Sequence, residues 1–160
     1  MQLNQGQQKA LDALLAAVID PNQKLITLSG PAGSGKTTIL KQLIKELKNL
    51  AVLMPEYLTT CHFTATTNKA VAALSDAIGP IAEVSTIHSL LGLVPYQGKL
   101  KQRRTLAAKP NSIVVIDEAS YIGAELAEFI AKIVDKVSLI IFVGDSYQLP
   151  PVKDEISDIF

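Results

Sequence analysis

The segment Gly30-Pro31-Ala32-Gly33-Ser34-Gly35-Lys36-Thr37 constrains this chain more than any other feature. It satisfies G-x-x-x-x-G-K-[ST] in full. A β-rich run, residues 24–29, precedes it. A helical stripe of Ile39, Leu40, Leu43, Ile44 and Leu47 follows, predicting a helix over 36–47. Strand, glycine loop and helix in that order form the opening βα unit of a layered α/β domain. The glycines let successive backbone N–H groups turn inward, and the helix start adds partial positive charge, so the loop suits phosphate oxygens.

The rest of the chain repeats this alternation. Ala10, Leu11, Leu14, Leu15 and Val18 predict a helix over 6–19, ended by Asp20-Pro21-Asn22. Residues 60–65 read as a strand, and 68–78 as a helix stopped by Gly79-Pro80. Ile113–Ile116 and Leu139–Val143 are continuous apolar runs, with a helix expected over 126–134 between them. Strands apolar on both faces, alternating with helices, predict a parallel sheet covered on both sides. Such sheets bind ligands at the carboxyl ends of their strands.

At 160 residues and 48% apolar content, one compact domain with a real core is expected. The formal net charge is +0, so overall charge selects no partner. Cys61 is the only cysteine, which excludes an internal disulfide and fits a reducing cytoplasm. No run approaches the roughly 18 apolar residues of a membrane span.

Two polar clusters follow the apolar strands. Asp117-Glu118 ends the first run, an acid pair suited to holding Mg²⁺ (Asp117) and to deprotonating an attacking water (Glu118). Two solvated acids at a helix start would look the same. Gly144-Asp145-Ser146-Tyr147-Gln148-Leu149-Pro150-Pro151 ends the second, where Gln148 could bond a γ-phosphate or its water. A Pro-terminated turn is the plainer reading. In the glycine loop, Lys36 would reach the β- and γ-phosphates and the Thr37 hydroxyl would bind Mg²⁺.

These residues resemble motifs I, II and III of superfamily 1 DNA helicases, nearest to the RecD/Dda-like branch that moves 5′ to 3′ on single-stranded DNA. The resemblance runs in order from residue 3 to about 153. Leu3-Asn4-Gln5-Gly6-Gln7 is similar to the branch's Q-motif, whose Gln reads adenine; Gln7 fits best, with Gln5 and Gln8 close by. Thr64-Ala65-Thr66-Thr67-Asn68-Lys69 resembles motif Ia, which lies against the DNA backbone, although Thr67 could simply cap the helix after it. Ser85-Thr86-Ile87-His88 resembles the branch's Thr-Ile-His segment; a lone His there is as readily a satisfied, partly buried group.

The resemblance implies an N-terminal RecA-like motor domain spanning 1–160, with ATP and Mg²⁺ as cofactors. Gln7 and Gly30 to Thr38 (Gly30, Pro31, Ala32, Gly33, Ser34, Gly35, Lys36, Thr37, Thr38) would bind nucleotide, and Thr37 and Asp117 the metal. Lys36, Glu118 and Gln148 would serve catalysis. Thr64, Thr66, Asn68, Lys69 and His88 would face DNA. It also implies a second motor domain, missing here, that supplies an arginine and half of the DNA track.

Between Gly92 and Ile113 no acid occurs, but Lys99, Lys101, Arg103, Arg104 and Lys109 do. Alternation around Gln97-Gly98 predicts a short hairpin within an insertion at about 93–111. In the family this position carries a strand-separating pin. A solvated basic loop is the plain alternative, and contact with DNA phosphates the sharper one. Other roles compatible with the same residues are a nucleotide-dependent binding module, or a subunit of an exonuclease V-like or relaxase-helicase complex.

Overall fold

The computed structural model describes residues 3–30, 35–54, 60–108 and 111–144. Pro31, Ala32, Gly33, Ser34, Lys109 and the motif III loop with Gln148 lie outside the described residues.

The elements run α1 (Gln5–Ile19), β1 (Leu25–Ser29), α2 (Lys36–Leu53), β2 (Cys61–Ala65), α3 (Asn68–Ile78), β3 (Glu83–Thr86), α4 (Ile87–Leu91), β4 (Leu93–Tyr96), β5 (Lys99–Gln102), β6 (Ile113–Asp117), α5 (Ala124–Ala131) and β7 (Leu139–Gly144). Five strands form one sheet in the order β1-β7-β6-β2-β3, and every pairing in it is parallel. The carboxyl ends of these strands therefore share one edge.

Alternation along the two central strands sorts the core into two layers. Ile113 and Val115 of β6, with Leu139, Ile141 and Val143 of β7, pack under α1, α2 and α3. Val114, Ile116, Ile140 and Phe142 point the other way, toward α4, α5 and Leu93 at the start of β4. All six residues of β7 are buried, which is what its unbroken apolar run requires of a central parallel strand.

The helices start and stop for local reasons. Asn4 caps α1: its side chain accepts from the Gln7 N–H at 2.8 Å, and the Gln7 side chain accepts from the Asn4 N–H at 3.0 Å. Thr67 caps α3 by accepting the Ala70 N–H at 3.1 Å. Helix α2 continues to Leu53, past the end of its apolar stripe, and Val52 and Leu53 are exposed.

Strands β4 and β5 pair antiparallel around Gln97-Gly98, in the register Tyr96↔Lys99 and Pro95↔Leu100. Both turn residues have positive φ, 49° and 75°, the backbone that a two-residue hairpin turn of right-handed twist demands. The hairpin's base is tied back to α4, because the Gly92 carbonyl accepts from the N–H groups of Arg103 at 2.9 Å and Arg104 at 3.2 Å. Gly92 sits at φ 72°, and a Cβ there would lie 2.4 Å from the Arg104 carbonyl oxygen, so only glycine fits this approach.

Candidate nucleotide site and basic hairpin

The glycine loop leaves the sheet at Gly30, whose N–H donates to the Gly144 carbonyl at 3.3 Å. The ends of β1 and β7 thus lie side by side. Gly35 re-enters as the residue before α2 with φ 84°, left-handed backbone suited to glycine. Lys36, Thr37 and Thr38 occupy the first turn of α2 and are half-buried. The Lys36 ammonium turns back to donate to the Gly30 carbonyl at 2.6 Å.

Asp117 ends β6 on the same sheet edge and is half-buried. Loss of water around it raises its carboxyl above the ordinary value; the bond from the Glu118 N–H to Oδ1, 2.9 Å, and the charge of Lys36 act in the opposite sense. Of the two opposing influences the Glu118 N–H is the larger and Lys36 the smaller. An acid held in a site short of water is a donor that a hard divalent cation would relieve of its desolvation cost. The donor set fits Mg²⁺ on that ground.

Glu118 is exposed, with φ 54° and ψ 45°, left-handed backbone on a residue with a side chain. That conformation costs about 1–2 kcal/mol. It turns the chain sharply out of β6 into a 3-10 turn, Ala119–Tyr121, and leaves the Glu118 carboxylate in solvent at the sheet's edge.

Of the three N-terminal glutamines, Gln7 is half-buried while Gln5 and Gln8 are exposed. Gln8 donates to Asp12 Oδ1 at 2.9 Å. A Cβ on Gly35 would lie 2.2 Å from Gln7 Nε2, so the Gln7 amide rests directly against the re-entry point of the glycine loop. The capping box holds Gln7 in that place.

The motif Ia residues divide. Thr64 is fully buried, and its hydroxyl donates to the Val115 carbonyl at 2.8 Å. Thr66 Oγ1 is also closed to solvent, with no partner among the described residues. Both were expected to face DNA; the Thr64 hydroxyl instead lies within the sheet layer, because Thr64 alternates with Phe63 along β2 and turns toward the α4 and α5 side. Thr66, just past β2, is half-buried with its hydroxyl oxygen covered. Asn68 and Lys69, at the start of α3, are exposed. His88 is half-buried in α4, and burial lowers its pKa from the usual imidazole value.

Basic residues gather on the hairpin. Lys99, Lys101, Arg103 and Arg104 are exposed. The Lys101 ammonium lies 4.8 Å and the Arg103 guanidinium 4.9 Å from the centre of the Tyr96 ring, which is 44% exposed. Each contact is a cation–π approach. No local pattern marks Glu125 of α5, whose carboxylate accepts the Leu100 backbone N–H of the hairpin. Nor does one mark His62, buried under the sheet edge with Nδ1 4.0 Å from Glu83 Oε2. In both cases the partner lies on another element. The Cys61 thiol is pushed up to about 11, mainly by burial and against the pull of Lys48, and is chemically quiet.

With this geometry in view, comparison places the chain. Residues 14–154 match the AAA domain family. The chain belongs to this family. Its relatives carry the branch likeness seen in the motifs. It is 29% identical to the ATP-dependent DNA helicase dda of Enterobacteria phage T4 over 155 residues, covering 94% of this chain and 33% of that protein. It is 32% identical to the ATP-dependent RecD2 DNA helicase of Deinococcus radiodurans over 146 residues, covering 90% of this chain and 19% of that protein. It is 31% identical to the RecBCD enzyme subunit RecD of Mycobacterium tuberculosis, covering 86% of this chain and 26% of that protein. The chain thus spans a third or less of the length of these relatives. The phage and Deinococcus relatives are named as ATP-dependent DNA helicases, and the parallel sheet described above is that of an α/β P-loop fold. No described helix is long and apolar enough to cross a membrane.

Proposed function

We propose that this chain is the first motor domain of a cytoplasmic DNA helicase that couples ATP hydrolysis to 5′-to-3′ movement on single-stranded DNA and to duplex unwinding. The observation that carries the reading is that Lys36, bonded to the Gly30 carbonyl just after β1, and Asp117, the last residue of β6, share the carboxyl edge of one parallel sheet. A lysine suited to phosphate and a strand-end acid, from distant segments, thus lie on the edge where such sheets bind ligands.

Lys36, with the backbone of Gly30 to Gly35, would hold the β- and γ-phosphates of ATP, and Gln7 would brace the loop or read the base. Thr37 and Asp117 would hold Mg²⁺, which supplies positive charge to the phosphate oxygens. Glu118, solvent-facing and strained into position, would take the proton of the attacking water. Gln148 would report the γ-phosphate. Asn68, Lys69, His88 and the basic hairpin would face the strand.

A second motor domain completes the site in this reading. Both arginines of the chain, Arg103 and Arg104, follow β5 of the hairpin, and neither follows a strand of the parallel sheet. An arginine supplied in trans is worth roughly 10³–10⁵ in turnover in well-studied P-loop enzymes. The test compares steady-state ATP turnover by residues 1–160 and by the full-length protein, each with and without saturating single-stranded DNA. Slow, DNA-insensitive turnover by the short chain and fast, DNA-stimulated turnover by the long one is expected. Equal rates would make this chain a self-sufficient ATPase, and nucleotide-dependent binding without turnover in either would make it a binding module.

A further inference from the structure

We propose that Glu125 is a positioning residue that couples the nucleotide site to the basic hairpin. The inference rests on the nucleotide half of the function proposed above, and its DNA half enters only one arm of the test.

The hairpin's hydrogen-bond pattern leaves a place for it. Tyr96↔Lys99 flanks the two-residue turn and is a hydrogen-bonded pair, so by alternation Pro95↔Leu100 is not. The Leu100 N–H therefore points out of the ladder, along the open edge of β5. Glu125 takes that N–H with its carboxylate. Leu100 itself packs against the core between the hairpin and α5, so the bond is set beside an apolar contact. The edge group of a basic strand is thereby fastened to the first turn of a helix.

That helix is mechanically continuous with the acids. Glu118 leaves β6 in left-handed backbone, the 3-10 turn follows, and α5 begins at Ala124. Within this link Ala119 is fully buried and Ile122 is 3% exposed, so it is gripped by the core and does not swing freely. The Ala127 N–H is bonded to the Gly123 carbonyl at 2.9 Å, which starts the helix directly at the link. A change in the Asp117-Glu118 turn on binding Mg·nucleotide moves the start of α5, and Glu125 carries that movement to Leu100. Lys99 and Lys101 flank Leu100 on the same strand. Gly92 fixes the base of the hairpin, and Glu125 fixes its outer half, so the two ties together set where the cations point.

The plain role of Glu125 is an acid in a helix's first turn, where its charge favours the dipole. Glu125→Gln removes that charge but keeps an acceptor, and Glu125→Ala removes both. Amide hydrogen exchange across residues 93–102 is measured with and without Mg·ADP for wild type and both variants. In parallel, single-stranded DNA affinity is measured under the same two conditions. The expected result in wild type and Glu125→Gln is a nucleotide-dependent change in hairpin exchange, and a DNA Kd that differs about fivefold or more between the two conditions. In Glu125→Ala both responses collapse to a ratio near one while nucleotide binding persists. Equal nucleotide responses in wild type and Glu125→Ala, or no response of the hairpin in wild type, overturn the proposal. Loss of the exchange response in Glu125→Ala with no DNA binding by any form overturns the helicase reading and leaves the coupling standing. If Glu125→Gln behaves like Glu125→Ala, the charge and not the Leu100 bond is what matters, and the proposal fails.

Discussion

The Lys36 ammonium donates a 2.6 Å hydrogen bond to the carbonyl oxygen of Gly30, six residues earlier in the chain. The cation proposed to bind phosphate is thus tied to the residue just after β1. Incoming phosphate exchanges a neutral carbonyl acceptor for an anionic one, which strengthens the bond. Lys36→Ala is expected to weaken Mg·ATP and Mg·ADP by about 10- to 100-fold or more, given about 1.5–3 kcal/mol for a hydrogen bond to a charged group. Calorimetric titration of a variant with native helix content checks this. Unchanged affinity would remove the loop from the binding site.

Glu118 separates chemistry from backbone strain. Glu118→Gln should lower DNA-stimulated turnover of the full-length protein by about 10²–10⁴ while leaving nucleotide binding in place. Glu118→Gly should be the more stable replacement, exceeding Glu118→Ala by about 0.5–1 kcal/mol, since only the alanine retains a Cβ at φ 54°. Denaturant melts of the two variants decide the second point, and a more stable alanine variant would contradict the left-handed backbone.

Asp117 should carry a measurable cost. Its carboxyl sits above the ordinary value of 3.8 when folded, because burial disfavours the charged form. The folded chain therefore holds this proton more tightly than the unfolded chain. The stability linked to it is fully present below 3.8 and is lost as pH rises through the folded value. At neutral pH the ionised group is a liability in the nucleotide-free protein. Asp117→Asn, a neutral isostere that still accepts the Glu118 N–H, should raise unfolding stability at pH 7, and the gain should shrink as pH falls toward the carboxylate range. The same variant should lose the Mg²⁺ dependence of nucleotide binding. Urea titrations at several pH values test the first claim, and a variant less stable than wild type at pH 7 would count against it.

Hairpin charge should appear in the salt dependence of DNA binding. Replacing Lys99, Lys101, Arg103 and Arg104 with Gln should reduce the slope of log K against log salt by up to about 3, at roughly 0.7 per phosphate contact on a single strand. An unaltered slope would leave the hairpin as a solvated projection.

Sequence legibility followed burial. β6 and β7 were readable as continuous apolar runs because both lie in the middle of the sheet. Helix α3 was readable at both ends because Thr67 caps it and Gly79 ends it. β3 was not readable: Glu83-Val84-Ser85-Thr86 is a short edge strand with only partly covered side chains, so no apolar pattern marks it. α4 is five residues long, too short to show a period. The expected helix over 126–134 begins two residues earlier and ends at Ala131, although Ile133 and Val137 stay buried, so apolar spacing outlasted the helix. At the sheet edge, the positions of Lys36 at a helix start and Asp117 at a strand end were legible because each belongs to a local pattern. The burial of Thr64 was not, since it depends on which way β2 faces against its neighbours.

The strand order β1-β7-β6 has one more consequence. β7 stands between the strand that launches the glycine loop and the strand that ends in Asp117. The gap between those two strands is therefore two ladder spacings, about 9–10 Å. Backbone hydrogen bonding works here as a ruler, setting the span between cradle and acid independently of any side chain. Loops at the sheet's edge can change length and composition without altering that measure, whereas a fault in the register of β7 would miscalibrate both ends of the site at once.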